Sequence, residues 1–258
     1  MSGEYAKEQP SWLMRRASTN AGAKSASTPP LPKEWGLNEE DEAELLWPIW
    51  PLLFMGESDT GLYVETITDN VMDVLGLEYD GQNEDSKLWE KRVEGYVEEL
   101  IKRRRAFAAE LGITPEMQKN SNLNRAFAAL EEEGVIARQN FTCCGTCASA
   151  EIWDEIDNSR EWKGYIYFHQ QDAESLAESG GTYVGFGSFL AYPRDENEWN
   201  ALSDAQKEEI SALHKKLSVE LMKNTIIPVL EKHGLSVEWK GNFDTRPFIG
   251  GVEVYNIP

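Results

Sequence analysis

The sequence predicts an α+β protein, with an N-terminal helical segment and then a mixed β-sheet of about five strands packed with helices. Three observations carry this expectation. Apolar residues recur at helical spacing between positions 36 and 118. From about position 119, helical stretches alternate with short strand-like runs. The chain then closes on two further strand-like runs, as a terminal hairpin does.

Residues 1–35 are rich in Ser, Ala, Thr, Lys and Pro and have no apolar period. They read as a disordered tail closing at Pro29-Pro30-Leu31-Pro32. Arg15-Arg16-Ala17-Ser18 fits a basophilic kinase site, a match of four residues that arises often by chance.

Residues 36–118 form the helical region. Asn38 to Trp47 opens with acids, which suit a helix N-terminus. Leu62 to Leu77 places Val64, Ile67, Val71, Val74 and Leu75 on one face. Ser86 to Leu111 carries a long stripe through Trp89, Val93, Tyr96, Val97, Leu100 and Phe107. Lys102-Arg103-Arg104-Arg105 reads as its solvated face.

Residues 119–258 read as an α+β domain. Helix is expected over Leu123 to Glu133, ended by Gly134, and strand over Val135 to Thr142. A helix over Cys143 to Ile156 with Thr142 as N-cap follows. Gly164 to His169 is a strand, Asp172 to Glu178 a short helix and Thr182 to Ser188 a strand. Ser203-Asp-Ala-Gln206 is a capping-box signature, and the helix after it bends near Pro228 and ends at Gly234. Leu235 to Lys240 and Val252 to Tyr255 are the last strands.

Composition limits the function. The formal net charge is −20, and residues 1–35 carry +2 of it, so the remainder carries −22. Nucleic acid and anionic lipid both require clustered cations, so neither is expected as a partner. A basic protein partner suits such a surface, in the manner of an acidic inhibitor; the bland alternative is charge that maintains solubility. The longest apolar run, Trp47 to Met55, is interrupted by Pro48 and Pro51 and is far shorter than the ~20 residues of a membrane helix. With no signal-peptide pattern, a cytoplasmic location is expected. Oligomeric state is not legible.

All three cysteines, Cys143, Cys144 and Cys147, fall within five positions of the stretch NFTCCGTCASAEI. On a helix they share a face near its N-terminus, with Glu151 one turn on. Three chemistries fit. Three thiolates and a fourth ligand make a transition-metal site, zinc above all. Cys144-Gly-Thr-Cys147 between strand and helix has the local context of a thiol redox motif. Cysteine is also a small buried hydrophobe with no further role. His169 is the imidazole of interest for the fourth ligand. It ends a strand in which Tyr165, Tyr167 and His169 share one face, and it approaches the cysteines if the two strands lie side by side. A P-loop, a zincin motif and a nucleophile elbow are absent, and Gly185-Phe-Gly187-Ser is too short for a dinucleotide fingerprint. Whether the chain is an enzyme is not decided by its motifs.

Ala126 to Ile152 (AFAALEEEGVIARQNFTCCGTCASAEI) and Gly164 to Asp172 (GYIYFHQQD) resemble the two signature blocks of a bacterial, mainly actinobacterial, family catalogued as a domain of unknown function. Gly234 to Gly241 (GLSVEWKG) is a further match, and residues 190–215 resemble an extension to the pattern. The resemblance implies no activity. It marks Cys143, Cys144, Cys147, Glu151, His169, Gln170, Gln171 and Asp172 as motif positions.

Overall fold

The computed structural model describes residues 27–193, 196–253 and 258. The Arg15-Arg16-Ala17-Ser18 stretch and the run Val254 to Tyr255 lie outside them. The chain divides into two compact units, with the change between Gln118 and Lys119. Among the described residues no helix is long and apolar enough to cross a membrane.

The first unit is helical: α1 (Glu39–Leu46), α2 (Ile49–Met55), α3 (Thr60–Val74) and α4 (Glu84–Glu110). Asn38 and Asp41 form a reciprocal capping box that starts α1. Pro48 and Pro51 do not break α2, because they occupy its cap and first turn, where a missing N–H has no partner to lose. Tyr63, Ile67 and Val71 of α3 and Val93, Val97 and Leu100 of α4 are buried. Pro29-Pro30-Leu31-Pro32 is ordered, with the Tyr96 hydroxyl donating to the Pro29 carbonyl at 2.8 Å. The basic run of α4 is not uniformly solvated. Lys102 and Arg103 both pair with Glu99 at 3.0 Å, whereas Arg104 is buried with its guanidinium over the Trp50 ring. Burial holds Arg104 down to about 10. A five-residue helix, α5 (Pro115–Lys119), spans the change of unit.

The second unit continues with α6 (Asn122–Glu132), β1 (Val135–Arg138), α7 (Gly145–Glu151), β2 (Gly164–Tyr167), α8 (Gln170–Ser179), β3 (Thr182–Tyr183) and β4 (Gly185–Ser188). Then come α9 (Glu196–Asn200), α10 (Asp204–Leu221), α11 (Ile227–Lys232), β5 (Ser236–Glu238) and β6 (Phe248–Gly250). The α+β class is correct, but one sheet of about five strands is not: among the described residues there are two sheets of three. In the first, β1 runs parallel to β2 and β2 antiparallel to β4. In the second, β6 lies between β3 and β5, antiparallel to both. The division falls inside the expected strand Thr182 to Ser188. Val184 donates its N–H to the Pro247 carbonyl at 3.0 Å, and pairing passes from one sheet to the other on either side of it. Among the described residues the last strand is Phe248–Gly250, upstream of the expected Val252.

The glycines of β4 have a packing role. Gly185 and Gly187 stand opposite Tyr167 and Tyr165 in the antiparallel register. A Cβ at Gly187 would lie 2.4 Å from the Tyr165 hydroxyl, and one at Gly185 2.5 Å from the Tyr167 ring. The two tyrosines lie stacked, 14° from parallel, over the space these glycines leave. Ile136, Ala148, Ile152, Trp162, Tyr165, Tyr167 and Phe189 form one buried cluster, which fixes α7 on this face of the sheet. The long C-terminal helix passes through a π-helical segment over Met222–Ile226 just ahead of Pro228, which has no N–H for the regular ladder.

Candidate metal centre

Beyond the ends of the parallel strands β1 and β2 the two chains stay together for a few residues more. Phe168 donates to the Arg138 carbonyl at 3.2 Å, Phe141 to the Phe168 carbonyl at 2.9 Å and Gln170 to the Thr142 carbonyl at 3.1 Å. This ladder brings the starts of α7 and α8 to the same edge of the sheet, outside the carboxyl ends of its parallel strands, where α/β ligand sites concentrate.

The cysteine loop is bent to reach that position. Asn140 and Thr142 have φ of 51° and 58°, the non-glycine residues in the left-handed region among the described residues. Thr142 is therefore not the helix cap; its hydroxyl donates instead to the Cys144 carbonyl at 3.2 Å. Helix α7 begins two residues later than expected, at Gly145, with Cys144 as N-cap. Cys143 precedes the helix altogether.

The three sulfurs nevertheless converge. All lie within 4.8 Å of one another, and the Cys143 and Cys147 sulfurs are in contact at 3.5 Å. All three thiols are free; Cys143 is exposed, the other two half-buried. Cys144 makes no capping hydrogen bond as a thiol, which is a weak acceptor. As a thiolate it draws on the backbone N–H groups of Cys147 and Thr146, then on the thiols of Cys147 and Cys143, and these lower its pKa. Cys147 is pushed up to about 11, first through hydrogen bonding with the Cys143 and Cys144 sulfurs and then through their charge. Sulfurs this close resist ionising together unless a cation compensates them.

The family is decided by the extent of one match. A family model described as Domain of unknown function (DUF6891) covers residues 40–253. The chain belongs to this family. No curated protein and no solved structure matches it.

In this DUF6891 chain the other motif residues do not join the sulfurs. Among the described residues, the group of converging ligand atoms consists of the three sulfurs; Glu151, at the last turn of α7, is exposed and outside it. His169 is the N-cap of α8 rather than a strand residue. Its Nδ1 accepts the Asp172 N–H at 3.3 Å, its Nε2 stands 3.0 Å from Asp172 Oδ2, and that oxygen accepts the His169 N–H at 3.3 Å. An Nδ1 that accepts carries no proton, so Nε2 holds it, beside the carboxylate. Burial, reinforced by the Arg246 charge and opposed by Asp172, holds the imidazole pKa below its ordinary value. The ring edge bearing Nε2 faces Gly145, where a Cβ would lie 3.4 Å from that nitrogen. His169 is thus next to the residue after Cys144 while spent on its own helix cap. Gln170 is half-buried and Gln171 exposed.

Asp172 holds this corner together. Arg246 grips it with both guanidinium nitrogens, Nη1 on Oδ1 at 3.0 Å and Nη2 on Oδ2. Nη2 also donates to the Tyr183 carbonyl at 3.2 Å. Arg246 is 74 positions from Asp172 in sequence, and no local pattern marks it.

Proposed function

We propose that this chain is a metal-binding protein in which Cys143, Cys144 and Cys147 hold a thiophilic transition-metal ion, zinc foremost. One observation supports the reading above the others: three ligand sulfurs lie within 4.8 Å of one another at the start of one helix. Zinc–thiolate bonds of about 2.3 Å in a tetrahedron require sulfurs about 3.8 Å apart. Cys143 and Cys147, at 3.5 Å, are already near that separation. A divalent cation would also relieve the charge repulsion that adds to hydrogen bonding in raising Cys147. Cysteines retained only for packing are buried, and these are exposed or half-buried.

The reading gives the fourth position to water or an exogenous ligand. His169 was the sequence-based choice for that position, but its Nε2 proton and its contact with Asp172 would both have to be given up. It serves instead as the rigid wall behind Gly145. An ion with three protein ligands and one exchangeable position can sense, carry or polarise a ligand.

Elemental analysis of the full chain, purified without a polyhistidine tag, tests the reading. It expects about one zinc per chain, with affinity reduced on the order of a hundredfold or more by Cys144→Ser or Cys147→Ser and within about threefold of the original in His169→Gln. Substoichiometric metal that Cys144→Ser leaves unchanged contradicts it.

A further inference from the structure

We propose that the Cys143–Cys147 pair is a reversible, peroxide-sensitive disulfide switch whose closure removes two of the three metal ligands in one step. The sequence singles out Cys144 and Cys147 as the redox pair, but the contact at 3.5 Å is between Cys143 and Cys147. A disulfide needs about 2.0 Å, so the sulfurs must close about 1.5 Å. Cys143 supplies that movement at little cost, since it precedes α7 and is exposed. Helix α7 need not unwind. Cys143 is also the sulfur an oxidant in solution meets first.

The chemistry balances with hydrogen peroxide as oxidant. The Cys143 sulfur attacks one peroxide oxygen, an S–O bond forms as the O–O bond breaks, and the leaving oxygen departs as water after protonation. The Cys147 sulfur then attacks the sulfenic sulfur; the S–S bond forms, the S–O bond breaks and a second water leaves. Each sulfur gives up one electron, and the peroxide takes two. A small dithiol reverses the reaction by exchange. Cys144 is left alone, and one thiolate does not retain zinc against water. The release half rests on the metal reading above; the disulfide half does not.

The test uses the full reduced chain, its Cys144→Ser and Cys143→Ser variants, hydrogen peroxide at about one equivalent, and two readouts: free thiols and zinc captured by a colorimetric chelator. Of the three thiols, wild type is expected to retain one and release its zinc, and both processes reverse with dithiothreitol. Cys144→Ser still closes the disulfide. Cys143→Ser, which keeps the Cys144/Cys147 spacing, closes at least about tenfold more slowly. Equal closure in Cys143→Ser, or its loss in Cys144→Ser, overturns the proposal. A chain that closes the Cys143–Cys147 bond but holds no zinc when reduced upholds the disulfide and rejects the metal reading.

Discussion

Helices α7 and α8 start at the same sheet edge, each after a parallel strand, and their first turns are built in opposite ways. At α8 the cap is closed: His169 and Asp172 satisfy each other's backbone, both are buried, and Arg246 clamps the carboxylate. At α7 the cap is open: the Cys144 thiol makes no capping hydrogen bond, and three free thiols converge at the surface. The α8 start spends its polar groups on stability, whereas the α7 start leaves them for a ligand. The comparison teaches that two cap positions at one edge can divide the work, one fixing the geometry the other uses.

The most damaging change should be Asp172→Ala. It removes the acceptor for Arg246 and for the His169 backbone N–H at a buried position, and should lower the unfolding free energy by about 3 kcal/mol in urea melts. Cys147→Ala in the metal-free chain should cost under about 1 kcal/mol in the same melts; equal losses would erase the contrast between the two caps. Next is Gly187→Ala. Its Cβ would lie 2.4 Å from the Tyr165 hydroxyl, so the sheet face must shift, at a cost of about 2 kcal/mol by thermal unfolding, while metal binding persists.

Acidification should separate the caps further. Burial is the main cause that depresses the pKa of both His169 and His214. In the window between the ordinary imidazole value and the depressed folded one, the unfolded chain binds more protons. Stability should therefore fall as pH drops through that window. His169→Asn should flatten the slope of Tm against pH, and Cys144→Ser should leave it unchanged. The smallest effect is expected from Thr142→Gly. It releases a left-handed, β-branched residue but adds unfolded-state entropy, so stability should move by less than about 1 kcal/mol. Zinc affinity should fall about threefold as the loop loosens; an unchanged affinity would show that the bend at Thr142 does not position the sulfurs.

Much of the fold was legible because its signals are local. The Ser203/Gln206 capping box and the helix-ending glycines at 134 and 234, with φ of 82° and 86°, stand where the sequence puts them. The cysteine cluster was legible because it spans only five positions. Its geometry was not, because a threonine in the left-handed region has no sequence signature, and Thr142 otherwise looks like an ordinary cap. The split of Thr182 to Ser188 between two sheets depends on where Pro247 lies, and the clamp on Asp172 depends on Arg246. Both are long-range facts that no window of sequence contains. The two alternating glycines of β4 were visible, but their meaning requires the opposite strand with its tyrosines.

X-ray absorption at the zinc edge of the reconstituted full chain addresses the central claim most directly. Three sulfur neighbours at about 2.3 Å with one lighter atom is the predicted shell. A shell of nitrogen and oxygen alone, or one unaltered by Cys144→Ser, would contradict the assignment of the three cysteines as ligands.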